Sequence, residues 1–199
     1  MRAGIAVCAI DLPGHGARSG PTRQTPDEVL GVVIDASEEI DRVQAAAITS
    51  LNADPARCGI GGMSAGGMAV LARLCRPHTF QACALEATSG DWDSVPMRSA
   101  GTPSDQAMAA ELNPIRHLDQ WRPIPMLSVH AKLDAWIPYA GQSRFLDHIQ
   151  DRYPQAEIER VVYDRTGAEA EHVGFGLHAA DAKQRQCEFL IQHLKPSIG

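Results

Sequence analysis

The sequence predicts an α/β fold: a doubly wound, mainly parallel sheet with helices on both faces. Three observations carry this. Short apolar runs alternate with helical patterns from Ile5 to Leu194, and such alternation calls for crossover connections between parallel strands. A glycine-rich turn, Gly61-Gly62-Met63-Ser64-Ala65-Gly66-Gly67, joins one apolar run to a helical pattern. The 199 residues are 44% hydrophobic and 21% charged, which suits one globular domain over 1–199 with a substantial core.

Taken in order, Ile5 to Ile10 is almost continuously apolar and reads as a strand buried on both faces. Pro13, Gly14, Gly16, Gly20 and Pro21 make a loop. Thr25-Pro26-Asp27-Glu28 forms a helix start, with Thr25 as cap and Glu28 closing a capping box. Val29, Val33, Ile40, Val43 and Ile48 then recur at helical spacing, ending near Leu51. Arg57 to Gly61 is a second strand, turning abruptly at Gly62 to Ala65 into a helix through Leu74. Ala82 to Glu86 is a third strand. Residues 89 to 121, with Pro96, Pro103 and Pro114, are irregular with one or two short helices, and are expected to form a small cap over the carboxyl edge of the sheet. Met126 to His130 is a fourth strand, followed by a helix from about Tyr139 to Ile149. Ile158 to Tyr163 is a fifth strand, and a last helix runs from about Leu177 to Leu194.

Bulk properties exclude several classes of function. The formal net charge is −6 and no Lys/Arg run stands out, so neither a nucleic-acid surface nor a membrane surface is expected. Asp11 interrupts the first apolar run before it reaches signal-peptide length, and no stretch approaches the roughly 18 apolar residues of a membrane span. The five cysteines, at 8, 58, 75, 83 and 187, lack CxxC spacing; they read as free thiols in a reducing compartment, hence a cytoplasmic protein. No Cys/His pair has ligand spacing, so neither a metal nor an organic cofactor is expected.

The sharpest chemical signal is Gly62-Met63-Ser64-Ala65-Gly66. A serine at a strand-to-helix elbow must adopt strained backbone angles, and small neighbours let the strand and helix approach. The helix directs its positive amino end at the site, and the backbone N–H of Ala65 supplies an oxyanion donor. Serine needs a base, and the base needs an orienting acid; in this fold the chain order is serine, acid, histidine. Asp134 follows the fourth strand at its carboxyl end, where binding groups gather. Glu86 and Asp91, at and just beyond the end of the third strand, are competing acids. His172 lies in the loop after the last strand and is the expected base; His178, at the start of the final helix, is its rival. Glu169 and Glu171 beside His172 either influence its ionisation or face water. His15 either lines the site or supports a turn, His130 hydrogen-bonds locally, and His78, His117, His148 and His193 have surface or helix-end contexts.

Four blocks carry a family resemblance: Asp11 to Gly16, Gly61 to Met68, Pro123 to Pro138, and His172 ahead of the closing helix. They resemble small bacterial carboxylesterases of the α/β-hydrolase superfamily, near the dienelactone-hydrolase and prolyl-oligopeptidase-like branches. Two positions depart from the pattern: Glu171 and Ala131 stand where such enzymes often carry glycine. The resemblance implies a serine hydrolase that cleaves a small-molecule carboxylic ester through an acyl-enzyme on Ser64, with Asp134 and His172 completing the triad. A thioesterase or oligopeptidase using the same triad, and an inactive remnant, are the alternatives. The resemblance also implies upstream residues that supply a strand between the Ile5–Ile10 strand and the serine strand, together with a second oxyanion donor. On that reading the fold is N-terminally incomplete, and its bare apolar faces invite self-association into a homo-oligomer.

Overall fold

Four strands pair in parallel and in chain order: β1 (Gly59–Met63), β2 (Ala82–Glu86), β3 (Met126–Ala131) and β4 (Ile158–Tyr163). They belong to a computed structural model that describes residues 4–19, 28–96 and 102–195. Among the described residues five α-helices accompany them: α1 (Val29–Leu51), α2 (Ala65–Leu74), α3 (Pro103–Leu112), α4 (Tyr139–Arg152) and α5 (Ala179–Leu194). Among the described residues, no helix is long and apolar enough to cross a membrane.

Strand alternation explains the layers. Cys83 and Leu85 of β2 face one side, where they join Val70, Leu71 and Leu74 of α2 and Phe145, Leu146 and Ile149 of α4. Ala82 and Ala84 face the other side and pack with Leu127, Val129, Phe189 and Leu194, so α5 covers this face. The small side chains on that face of β2 let α5 lie close. Each buried Leu, Ile or Phe contributes about 1.5–3 kcal/mol relative to exposure. A third cluster joins Leu30, Val33 and Ala36 of α1 to Met68, Ala69 and Ala72 of α2, with Trp92, Val95 and Ala109 from the 89–121 segment. Within that segment lie a 3₁₀ turn at Trp92–Ser94, α3, and a 3₁₀ turn at Pro114–Arg116.

The first apolar run departs from expectation. Residues 5–12 form no strand, Val7 is 81% exposed, and Ile10 is 46% exposed. The reason is pairing: β1 is an edge of the four-stranded sheet, and none of the described residues pairs with residues 5–12 to build a ladder. Strand-like sequence becomes a strand only when its N–H and C=O groups find partners. The chain instead closes a turn in which Ala17 N donates to Asp11 Oδ2 (2.8 Å). Arg18 clamps this turn to α1 through both oxygens of Glu39 (2.7 and 2.8 Å).

Several boundaries also shift. The serine strand begins at Gly59 rather than Arg57, because Asp54 caps a 3₁₀ turn over Pro55–Arg57. The last helix begins at Ala179, behind a 3₁₀ turn at Gly176–His178. The expected capping residues Thr25, Pro26 and Asp27 lie outside the described residues.

Candidate active site

At the β1–α2 junction Ser64 takes φ 52°, ψ −123°, a conformation that costs about 1–3 kcal/mol unless its surroundings enforce it. Here they do. Ser64 N donates to Glu86 O (3.0 Å), while Met68 N and Thr88 Oγ1 donate to Ser64 O (3.0 and 2.8 Å). The approach is close enough to require glycine: a Cβ on Gly62 would lie 2.5 Å from the Gly66 carbonyl carbon. Ala65 opens α2, so its N–H is one of the helix's four unsatisfied amino-terminal donors and points where the dipole favours an anion.

The acid loop follows β3. Asp134 folds back on its own turn, Oδ1 accepting from Trp136 N (2.9 Å) and Ile137 N (2.8 Å). That fixes Oδ2, which accepts from His172 Nδ1 at 2.7 Å. On the other side of the imidazole, Ser64 Oγ donates to His172 Nε2 at 2.9 Å. The structure thus brings Ser64, His172 and Asp134 into one hydrogen-bonded chain, with Ala65 at its serine end. Asp134 and His172 are buried, at 5% and 3% exposure, which strengthens charge interactions between them.

The loop carrying the histidine is strained. Ala170 and Glu171 both have left-handed backbones, φ 52° and 53°. Glycine suits such a position better, which gives the departure at Glu171 a physical meaning. Its carboxylate accepts from Thr166 N, Thr166 Oγ1 (2.8 Å) and Gly167 N (3.1 Å), and these contacts hold the non-glycine backbone in place. Glu171 therefore braces the loop from behind rather than facing the imidazole. Ala135 N donates to Ala170 O (3.0 Å), tying the acid and histidine loops together.

The rivals are engaged elsewhere. Glu86 accepts from Gln186, and burial raises its carboxyl above the usual range. Asp91 is clamped by Arg144. His178 stacks on Tyr163 at 4.3 Å between centroids, 9° from parallel. His15 stays in its own turn, Nδ1 lying 3.0 Å from Pro13 O.

His130 matters more than local sequence suggests. Fully buried at the end of β3, it lies with Nε2 2.8 Å from Ile137 O and 3.5 Å from Asp134 Oδ2. The N–H thus serves chiefly the carbonyl and flanks the carboxylate. The i, i+4 relation of His130 and Asp134 is visible in the chain, but only the tight turn after β3 folds it into contact.

Burial alone would push the Asp134 carboxyl up; N–H groups from His130, His172 and Ile137 outweigh it and hold the carboxyl at about 2. An unfolded aspartate titrates near 3.9. A carboxyl depressed in the fold stabilises it above the unfolded value, and that contribution is lost as pH falls through the folded value. The melting-temperature gap between wild type and Asp134→Asn is therefore expected to narrow as pH drops from about 4 to about 2. A gap constant across that window would contradict the ionised, multiply bonded carboxylate.

A strained serine elbow on a parallel sheet, joined to a buried histidine–carboxylate pair, defines a serine hydrolase of the α/β-hydrolase superfamily. Residues 1–197 match the sequence profile of the prolyl oligopeptidase family (peptidase S9), and the chain belongs to that family. Curated protein sequences give no match. Several solved structures share the fold. TT1662 from Thermus thermophilus aligns with a TM-score of 0.68 at 23% identity, covering 92% of this chain and 75% of that one. A puromycin-hydrolyzing peptidase from Mycobacterium tuberculosis aligns at TM-score 0.64 and 22% identity, over 80% of this chain and 26% of the other. Pyrococcus horikoshii acylaminoacyl peptidase aligns at TM-score 0.65 and 19% identity, over 83% and 28%. The chain therefore spans about a quarter of the length of either peptidase.

Proposed function

We propose that this chain hydrolyses carboxylic esters through an acyl-enzyme on Ser64. The observation that carries the reading is the continuous relay Ser64 Oγ–His172 Nε2, His172 Nδ1–Asp134 Oδ2, at 2.9 and 2.7 Å. Ser64 Oγ attacks the acyl carbon and gives its proton to His172 Nε2. Asp134 fixes the tautomer and stabilises the imidazolium. The carbonyl oxygen gathers negative charge, which the Ala65 N–H and the amino end of α2 stabilise. The bond to the leaving group then breaks, and His172 passes the proton to the departing atom. Water, deprotonated by the same histidine, releases the acid and restores Ser64. An ester makes smaller demands on this site than an amide, because an alkoxide leaves more readily than an amine.

A second reading is cleavage of short peptides, favoured by membership of the prolyl oligopeptidase family and by the peptidases among the similar folds. The discriminating experiment uses ester, thioester and amide substrates with one acyl group. We expect ester turnover without amide cleavage above the background of Ser64→Ala, since esters outpace matched amides even in peptidases; Ser64-dependent cleavage of the amide would reverse the assignment. The five cysteines, none paired with another, support a reducing, cytoplasmic setting.

A further inference from the structure

We propose that Trp136 forms the leaving-group wall of the site and selects esters whose departing alcohol carries an apolar ring. The inference rests on the ester hydrolysis proposed above and adds its substrate class.

Trp136 is 47% exposed, although a tryptophan commonly buries most of its surface. It is nonetheless held in place, because its backbone N–H donates to Asp134 Oδ1 (2.9 Å). Its ring lies 4.9 Å from the His172 ring, tilted 44°. A large apolar ring, carried on a backbone tied to the acid and resting against the base, thus keeps much of its surface open to solvent. Leu133 and Val173, from the same two loops, are 51% and 47% exposed, and Ala135 N–Ala170 O joins those loops. Three exposed large apolar side chains thus sit in the loops that carry Asp134 and His172.

Chemistry decides which part of a substrate meets this surface. His172 delivers its proton to the departing oxygen, which must come within about 2.6–3.2 Å of Nε2. As the C–O bond breaks, that oxygen takes the electron pair and the proton that Ser64 first gave to His172. The alcohol portion is then held beside the imidazole, on which Trp136 also rests. An apolar ring there covers the open indole and displaces water from it.

The test compares ethyl and 2-naphthylmethyl esters of one acid, whose alcohols have similar acidity. Wild type is expected to favour the naphthylmethyl ester. In Trp136→Ala that preference should fall roughly 10- to 100-fold, the size expected for losing one buried aromatic contact. Most of the fall should appear in KM for the naphthylmethyl ester. Trp136→Phe should restore much of the preference. Equal losses on both esters would overturn the proposal, since Trp136 would then act only through His172; so would an unaltered preference. Failure of the parent reading looks different: wild type would turn over neither ester.

Discussion

Replacing Ser64 with alanine should lower ester turnover by roughly 10⁴- to 10⁶-fold while leaving the fold intact. The structure explains both halves. Ser64 Oγ donates a hydrogen bond only toward His172 Nε2 (2.9 Å), and the contacts that hold its strained backbone come from its own N–H and C=O. Alanine keeps the Cβ and those backbone contacts, so the elbow survives without its nucleophile. Melting curves and steady-state kinetics on purified Ser64→Ala check this together. Turnover within tenfold of wild type, in a protein that melts normally, would mean that another group carries the reaction.

His172→Ala should be about as damaging as Ser64→Ala, and combining the two should cost no more than either alone, because they act as one unit. Asp134→Asn should cost roughly 10⁴-fold for a different reason. Asn can keep an oxygen facing the N–H groups of Trp136 and Ile137, as Oδ1 does now. Its amide nitrogen then faces His172 Nδ1 in place of Oδ2. That nitrogen donates, so Nδ1 must accept and Nε2 must carry the proton. In this tautomer Nε2 cannot take the proton of Ser64. Kinetics of the three single variants and the Ser64→Ala/His172→Ala pair test the coupling. Additive losses, or an Asp134→Asn enzyme within tenfold of wild type, would break the relay assigned here.

Much of the fold was legible because its signals are local. β2 and β4 fall where the apolar runs place them, since each run is short, bounded by turns and paired on at least one side. The Ile5–Ile10 run shows the limit of that logic. Its residues suit a strand, yet pairing depends on a neighbour that no property of the run itself reveals. The β1 boundary slipped for a smaller reason: the Asp54 side chain, accepting from Ala56 N, draws Pro55–Arg57 into a turn.

For the site, chain order and strand-end position pointed to Ser64, Asp134 and His172, and the fold brings them within hydrogen-bond reach. What surrounds them was harder to see. Whether Glu171 faces the imidazole or braces the loop depends on a left-handed backbone. The contact of His130 with the acid loop and the rest of Trp136 on His172 arise from how two loops fold over one another. Residue type alone assigns neither.

The most direct test of the central claim is to treat the wild-type chain with a fluorophosphonate and map the adduct by peptide mass spectrometry. A single adduct on Ser64, sharply slowed in His172→Ala, is the predicted result, because only a serine deprotonated by its histidine attacks phosphorus quickly. An adduct on a different residue, or labelling of Ser64 at an undiminished rate without His172, would contradict the mechanism.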